Sequence, residues 1–135
     1  MTTLNVTVEA LRGHLGLGRQ EDAGVLPLDR PVATGGTGLG FNGGHLMLLG
    51  WGACFKSTLV AAAQARDLPI ETLRLSISGD VVSAPSRFGS VRMRVVLEGP
   101  ESRADREKLV TIAANGCIVS NTLKRATEMH ITLEE

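Results

Sequence analysis

One stretch constrains this chain more than any other. Over residues 43–66, Leu46, Leu48, Leu49, Trp51, Ala53, Cys54, Leu59, Val60 and Ala61 put apolar side chains on every side of a helix. A helix that is apolar all round has to be covered all round, and one small sheet gives too little cover. Asn42 is placed to cap its start, and Asp67, Leu68 and Pro69 end it. Gly50 and Gly52 each cost about 1 kcal/mol of helix propensity relative to alanine, which fits a close approach by another backbone. The most apolar part, Leu46 to Phe55, runs into Lys56, Ser57 and Thr58. It is too short to read as a membrane span, so a buried core helix is predicted.

Around this helix the pattern is that of strands. Leu4, Val6 and Val8 alternate with polar residues and predict a strand over residues 4–11. Gly13, Gly16 and Gly18 then suggest a hairpin or a loose, bulged second strand, and Val25, Leu26 and Leu28 a short third one. TGGTGLGFNGG, residues 34–44, is too rich in glycine for regular structure and reads as a long flexible loop. Leu73, Leu75 and Ile77 alternate with Arg74, Ser76 and Ser78, and Val91, Met93, Val95 and Leu97 follow the same rule. These are two amphipathic strands joined through SAPSRFG. Residues 102–115 predict a helix capped by Ser102, a short helix follows from Cys117 to Ala126, and alternation over residues 129–133 predicts a last strand. No repeat, linker or boundary interrupts the order. The expectation is one α+β domain spanning residues 1–135.

Composition removes several classes of function. Fourteen basic residues balance fourteen acidic ones, so no global field draws the chain to nucleic acid or an anionic membrane. Trp51, Phe41, Phe55 and Phe88 are its only aromatic residues, too few for a base-stacking platform. The N-terminus MTTLNVTVEALRG has no basic-then-apolar signal pattern, so a cytoplasmic location is expected, where thiols stay reduced. His14, His45 and His130 are scattered without metal-ligand spacing, and no metal or cofactor is expected. TGGTGLG lacks the Lys-Ser/Thr ending of a phosphate-binding loop. Arg74, Arg92 and Arg94 read as the solvated or partner-facing side of a sheet.

The chemistry then rests on Cys54 and Cys117. They are too far apart in sequence for a C-x-x-C redox motif or a zinc finger. One reading makes both small core residues. The other makes them thiols that meet in space, with Cys117 at a helix start that favours its thiolate.

NGGHLMLLGWGACF, residues 42–55, resembles the active-site helix of the OsmC/Ohr hydroperoxide reductases, whose pattern is roughly N-P-E-x-L, a small and apolar helix, then A-C-F. Asn42, Leu46, Gly50, Ala53, Cys54 and Phe55 match it. The second family signature, a cysteine followed by x-x-S-N or x-x-S-R, matches Cys117, Ser120 and Asn121 in GCIVSNTL. The resemblance covers nearly the whole chain and implies a strongly bent antiparallel sheet around the long central helix, in an intertwined homodimer with its sites at the subunit interface. It also implies a thiol-dependent peroxidase for organic hydroperoxides. In that chemistry Cys54 attacks the peroxide and becomes a sulfenic acid, Cys117 resolves it to a disulfide, and a dithiol, lipoyl-type in one branch, reduces the pair.

The departures from the pattern fall around the helix start. The family's proline and glutamate are Gly43 and Gly44, and the proline usual after the second cysteine is Ile118. That glutamate holds an arginine from the first hairpin near the reactive sulfur. Arg12 is the better match for that arginine and Arg19 the alternative, with His45 a possible substitute partner. Loss of the carboxylate opens a second reading, a non-enzymatic small-molecule binder or thiol redox sensor of the same fold.

Overall fold

The computed structural model describes residues 1–134. Two compact units divide within one continuous helix, the first Met1–Met47 and the second from Leu48 onward.

In the first unit, β1 (Val6–Arg12), β2 (Leu15–Gln20) and β3 (Val25–Leu28) form an antiparallel sheet in that order, with a bulge between Ala10 and Arg12. Every residue of β1 is exposed. The glycine-rich stretch departs from its expected flexibility because it is pinned. The Asp29 carboxylate, 4% exposed, accepts the Arg30 N–H at 2.8 Å, the Thr37 N–H at 2.9 Å and the Thr37 hydroxyl. The hydroxyl bond leads the interactions that hold this carboxyl below its ordinary value, against the opposing effect of burial. Val32–Thr34 form a 3-10 turn, and Phe41 pairs with Leu28 as an isolated parallel bridge. A Cβ at Gly36 would lie 1.9 Å from the Arg30 carbonyl oxygen. Glycine there serves close approach of backbone to backbone, which composition cannot distinguish from floppiness. Asn42 caps the helix as expected, its Oδ1 accepting the His45 N–H at 3.0 Å.

The helix is α1 (Gly43–Ala65), 23 residues long. By length and composition alone it could cross a membrane. Its packing makes it the core helix instead: Phe55, Leu59, Ala62 and Ala63 join Leu109, Ala113 and Cys117 in one buried cluster. The second unit adds β4 (Thr72–Val82) and β5 (Arg87–Glu98), an antiparallel hairpin in which Leu73 faces Leu97, Leu75 faces Val95 and Ile77 faces Met93. Of these, Leu73, Leu75, Met93, Val95 and Leu97 pack against the core and Ile77 lies beside Gly52 of α1, while the intervening Arg74, Ser76, Ser78, Arg92 and Arg94 are exposed, with Arg92 paired to Asp80 at 2.6 Å. Two helices follow, α2 (Arg103–Gly116), capped by Ser102, and α3 (Ile118–Leu123). Burial on one chain covers only part of α1, for Leu49 stays 52% exposed.

The expected last strand does not form. Residues 126–134 have no strand partner, and Met129, Ile131 and Leu133 are 82%, 93% and 94% exposed. Alternation supplies two faces, but a strand also needs an edge that takes its backbone hydrogen bonds, and among the described residues none does.

The end of α1 carries a further consequence. The Leu68 N–H reaches the Ala63 carbonyl at 3.0 Å and the Asp67 N–H the Gln64 carbonyl at 3.2 Å. This paired closure places Asp67 in the left-handed region, φ 52°. Asp67→Gly is expected to raise stability by about 0.5 kcal/mol, a left-handed penalty of roughly 1 kcal/mol less the greater unfolded-state entropy of glycine. A higher urea midpoint at unchanged slope is the check.

Candidate functional site

Cys54 sits on α1 between Trp51, one turn earlier, and Thr58, one turn later, whose hydroxyl donates back to the Cys54 carbonyl at 3.0 Å. This part of α1 meets the end of α2. A Cβ at Gly116 would come within 3.2 Å of the Thr58 methyl, so a residue without a side chain lets the α2–α3 junction close on the helix that carries Cys54. Cys117 is that junction. Its own N–H closes α2 onto the Ala113 carbonyl at 3.1 Å, and its sulfur caps α3 by accepting the Ser120 N–H at 3.5 Å.

Both cysteines are free, Cys54 half-buried and Cys117 wholly buried. Burial pushes the Cys117 thiol up. Hydrogen bonds from the Ser120 N–H, the Cys54 thiol, the Ser120 hydroxyl and the Val119 N–H outweigh it and hold the thiol below its ordinary value. Cys54 packs against the buried cluster that holds Cys117, and its thiol is among the groups that lower the Cys117 thiol, so the state of one sulfur is felt at the other. Such an arrangement can carry thiol oxidation at the accessible sulfur followed by disulfide closure onto the buried one.

Trp51 was legible only as an apolar residue, yet its indole N–H donates to the Ser120 hydroxyl at 2.7 Å. Ser120 is 6% exposed. The available signal was chemical: an indole N–H on a core helix needs an acceptor. Trp51 and Ser120 also line an apolar groove of about 390 Å³ with Phe55, Met93, Val95 and Lys124.

The remaining candidates lie in the first unit. Arg12 ends β1 and Arg19 lies in β2, both exposed. His45 is engaged locally, its Nδ1 lying 2.6 Å from the capping Asn42 Oδ1. Gly43 and Gly44 begin α1 with no carboxylate in its first turn. Among the described residues no cluster of side chains has the makings of a metal site.

Solved structures share this architecture. An OsmC-like protein from Mycoplasma pneumoniae superposes with a TM-score of 0.79 at 20% identity, over 91% of this chain and 88% of that one. An organic hydroperoxide resistance protein OsmC from Legionella pneumophila gives 0.72 at 23% identity, over 92% and 90%. One from Elizabethkingia anophelis, with thiocyanate bound, gives 0.68 at 19% identity, over 92% and 89%. No curated protein matches the chain. At these identities the structures speak for the fold. The sequence itself matches the family described as OsmC-like protein over residues 36–132, a span that takes in most of the glycine-rich loop, all of α1 and both cysteines. A match over most of the chain, joined to the same fold in solved members, makes this protein a divergent member of the OsmC/Ohr family.

Proposed function

We propose that this protein is a thiol-dependent peroxidase for organic hydroperoxides, with Cys54, Cys117 and Arg12 as its catalytic residues. The observation that supports the reading best is the presence of two free thiols of unequal access in one packed cluster, Cys54 half-buried against the core that holds the buried Cys117. The Cys54 thiolate attacks the terminal oxygen of ROOH. The O–O bond breaks, ROH leaves with a proton, and Cys54 becomes a sulfenic acid. Cys117 then attacks the Cys54 sulfur; the S–S bond forms, and hydroxide departs and is protonated to water. A dithiol of the lipoyl type restores both thiols by two exchanges and leaves as its own disulfide. Access selects Cys54 as the attacking sulfur, since a wholly buried one cannot meet a substrate in solution. The apolar groove beside Trp51 and Phe55 favours an alkyl or fatty peroxide over hydrogen peroxide.

The working unit on this reading is a homodimer in the cytoplasm, where the thiols rest reduced between turnovers. The exposed Leu49 on α1, the exposed β1 and the unpaired apolar segment around Ile131 all support a second copy as their cover. A single band at dimer mass in sedimentation is the expected result.

The experiment is a titration of free thiols before and after one equivalent of alkyl hydroperoxide, repeated with a lipoyl-type dithiol present. The enzyme loses both thiols and turns over with dithiol. One observation favours the second reading, a thiol sensor or small-molecule binder: glycine stands at position 44 where the family has its carboxylate. A sensor loses the thiols without turnover, and a binder keeps them. Gly44→Glu separates a deficit from a rebuilt site. If the missing carboxylate limits the reaction, the variant raises the rate of peroxide reduction by anchoring an arginine beside the reactive sulfur. An unchanged rate would show that the carboxylate is not what limits the site.

A further inference from the structure

We infer that Trp51 and Ser120 are positioning residues that hold the Cys117 sulfur as a stabilised thiolate, making it the leaving group when the disulfide is reopened. This inference deepens the peroxidase reading and rests on its Cys54–Cys117 disulfide. Its starting point is the unusual cap. A thiol sulfur is a weak hydrogen-bond acceptor, whereas a thiolate is a strong one. Cys117 nonetheless caps α3 with its sulfur, accepting the Ser120 N–H at 3.5 Å in a fully buried position. That bond is worth most when Cys117 is ionised.

Trp51 adds direction. An indole N–H can only donate, so the 2.7 Å contact fills a lone pair of the Ser120 hydroxyl. The hydroxyl proton must then point elsewhere, in a residue whose own N–H lies 3.5 Å from the Cys117 sulfur and whose hydroxyl is among the groups that favour the Cys117 thiolate. The indole thereby clasps α1 to α3, holds the Ser120 N–H on the sulfur and leaves the hydroxyl proton free to act as a second donor. The ionisable groups beside this cluster are Cys54 on α1 and Lys124 at the end of α3; β5 and α2 present Met93, Val95, Val110 and Ala114.

The consequence falls on the reducing step. The dithiol's thiolate attacks the sulfur it can reach, that of Cys54. The S–S bond breaks, a mixed disulfide forms on Cys54, and its electron pair leaves on Cys117 as thiolate. The second dithiol thiolate then displaces Cys54, which departs as thiolate and takes up a proton. A leaving thiolate of lower pKa departs faster, and stabilising it makes the disulfide more oxidising.

The test uses Trp51→Phe, Ser120→Ala and Ser120→Thr in the full chain, with near-ultraviolet circular dichroism to verify the fold. The disulfide is equilibrated with dithiothreitol across a range of pH. Trp51→Phe and Ser120→Ala are expected to shift the equilibrium about tenfold toward the disulfide where Cys117 is ionised, about 30 mV in potential. The shift should vanish at acid pH, where Cys117 is protonated in every variant, and Ser120→Thr should retain the parent value. A shift of equal size at all pH, or none, overturns the inference. Ultraviolet thiolate absorbance of Cys117 in a Cys54→Ser background reads the same inference without any disulfide. There Ser120→Ala should lower the ionisation constant about tenfold, and an unchanged constant overturns it. Failure to form a disulfide at all would instead count against the resolving role of Cys117.

Discussion

Cys54→Ser is expected to abolish consumption of an alkyl hydroperoxide, while Cys117→Ser completes one turnover and stops until an external thiol is supplied. The asymmetry follows from chemistry and access together. Attack on the O–O bond needs a thiolate, and the serine hydroxyl at its ordinary pKa cannot replace it. Cys54 is the half-buried sulfur and Cys117 the buried one, so only the first has a path to substrate. Without Cys117 the sulfenic acid forms but finds no partner thiol within the chain. Rapid mixing with one equivalent of peroxide, followed by mass spectrometry, checks both halves: the Cys117→Ser chain should gain one oxygen, and the Cys54→Ser chain none. A fast first turnover in Cys54→Ser would reverse the assignment of the two thiols.

The second large effect concerns stability. Gly99→Ala is expected to cost roughly 3 kcal/mol or more, lowering Tm by roughly 10 °C. Gly99 lies between β5 and α2 at φ 128°, a conformation L side chains rarely adopt. A Cβ there would sit 2.2 Å from the Pro69 carbonyl oxygen, 2.9 Å from the Glu71 nitrogen and 3.0 Å from the Ile70 Cα. All three are backbone atoms of the α1–β4 connection, so no side chain can swing aside. The same movement would strain the 2.8 Å bond from the Glu71 N–H to the Glu98 carbonyl that starts the hairpin. Gly50→Ala is the control. Nothing within the chain lies within 4 Å of its Cβ position, so helix propensity alone predicts a gain of about 1 kcal/mol. A loss there would report a surface outside the chain, that of a second copy on α1. Thermal melts of both variants at two protein concentrations separate these outcomes.

Much of the framework was legible because its signals are local. α1 begins at Gly43 and ends at Ala65, within a residue of the boundaries read from Asn42 and from Asp67 to Pro69. β4 and β5 follow the alternation that named them, since a period of two leaves only one register that buries Leu73, Leu75 and Ile77 together. The Ser102 cap stands as read, its hydroxyl accepting the Asp105 N–H at 3.2 Å. The last strand failed for the complementary reason. Residues 129–133 have the alternation, but pairing depends on an edge elsewhere. The glycine-rich loop was misjudged because its order comes from one buried carboxylate, Asp29, outside the glycine run.

The candidate site divides along the same line. The sequence by itself determined the helix, its apolar surround, the two thiols and the departure at Gly44, because residue type and spacing carry that information. Only the tertiary structure decided that Cys54 and Cys117 share one packed cluster, that Cys117 joins two helices as a cap for both, and that Trp51 holds Ser120 across 69 positions of sequence. These contacts follow from how closely α1 approaches the α2–α3 junction at Gly116. That closeness is set by the packing of Leu59, Leu109 and Ala113 between the helices, not by any pattern along one of them.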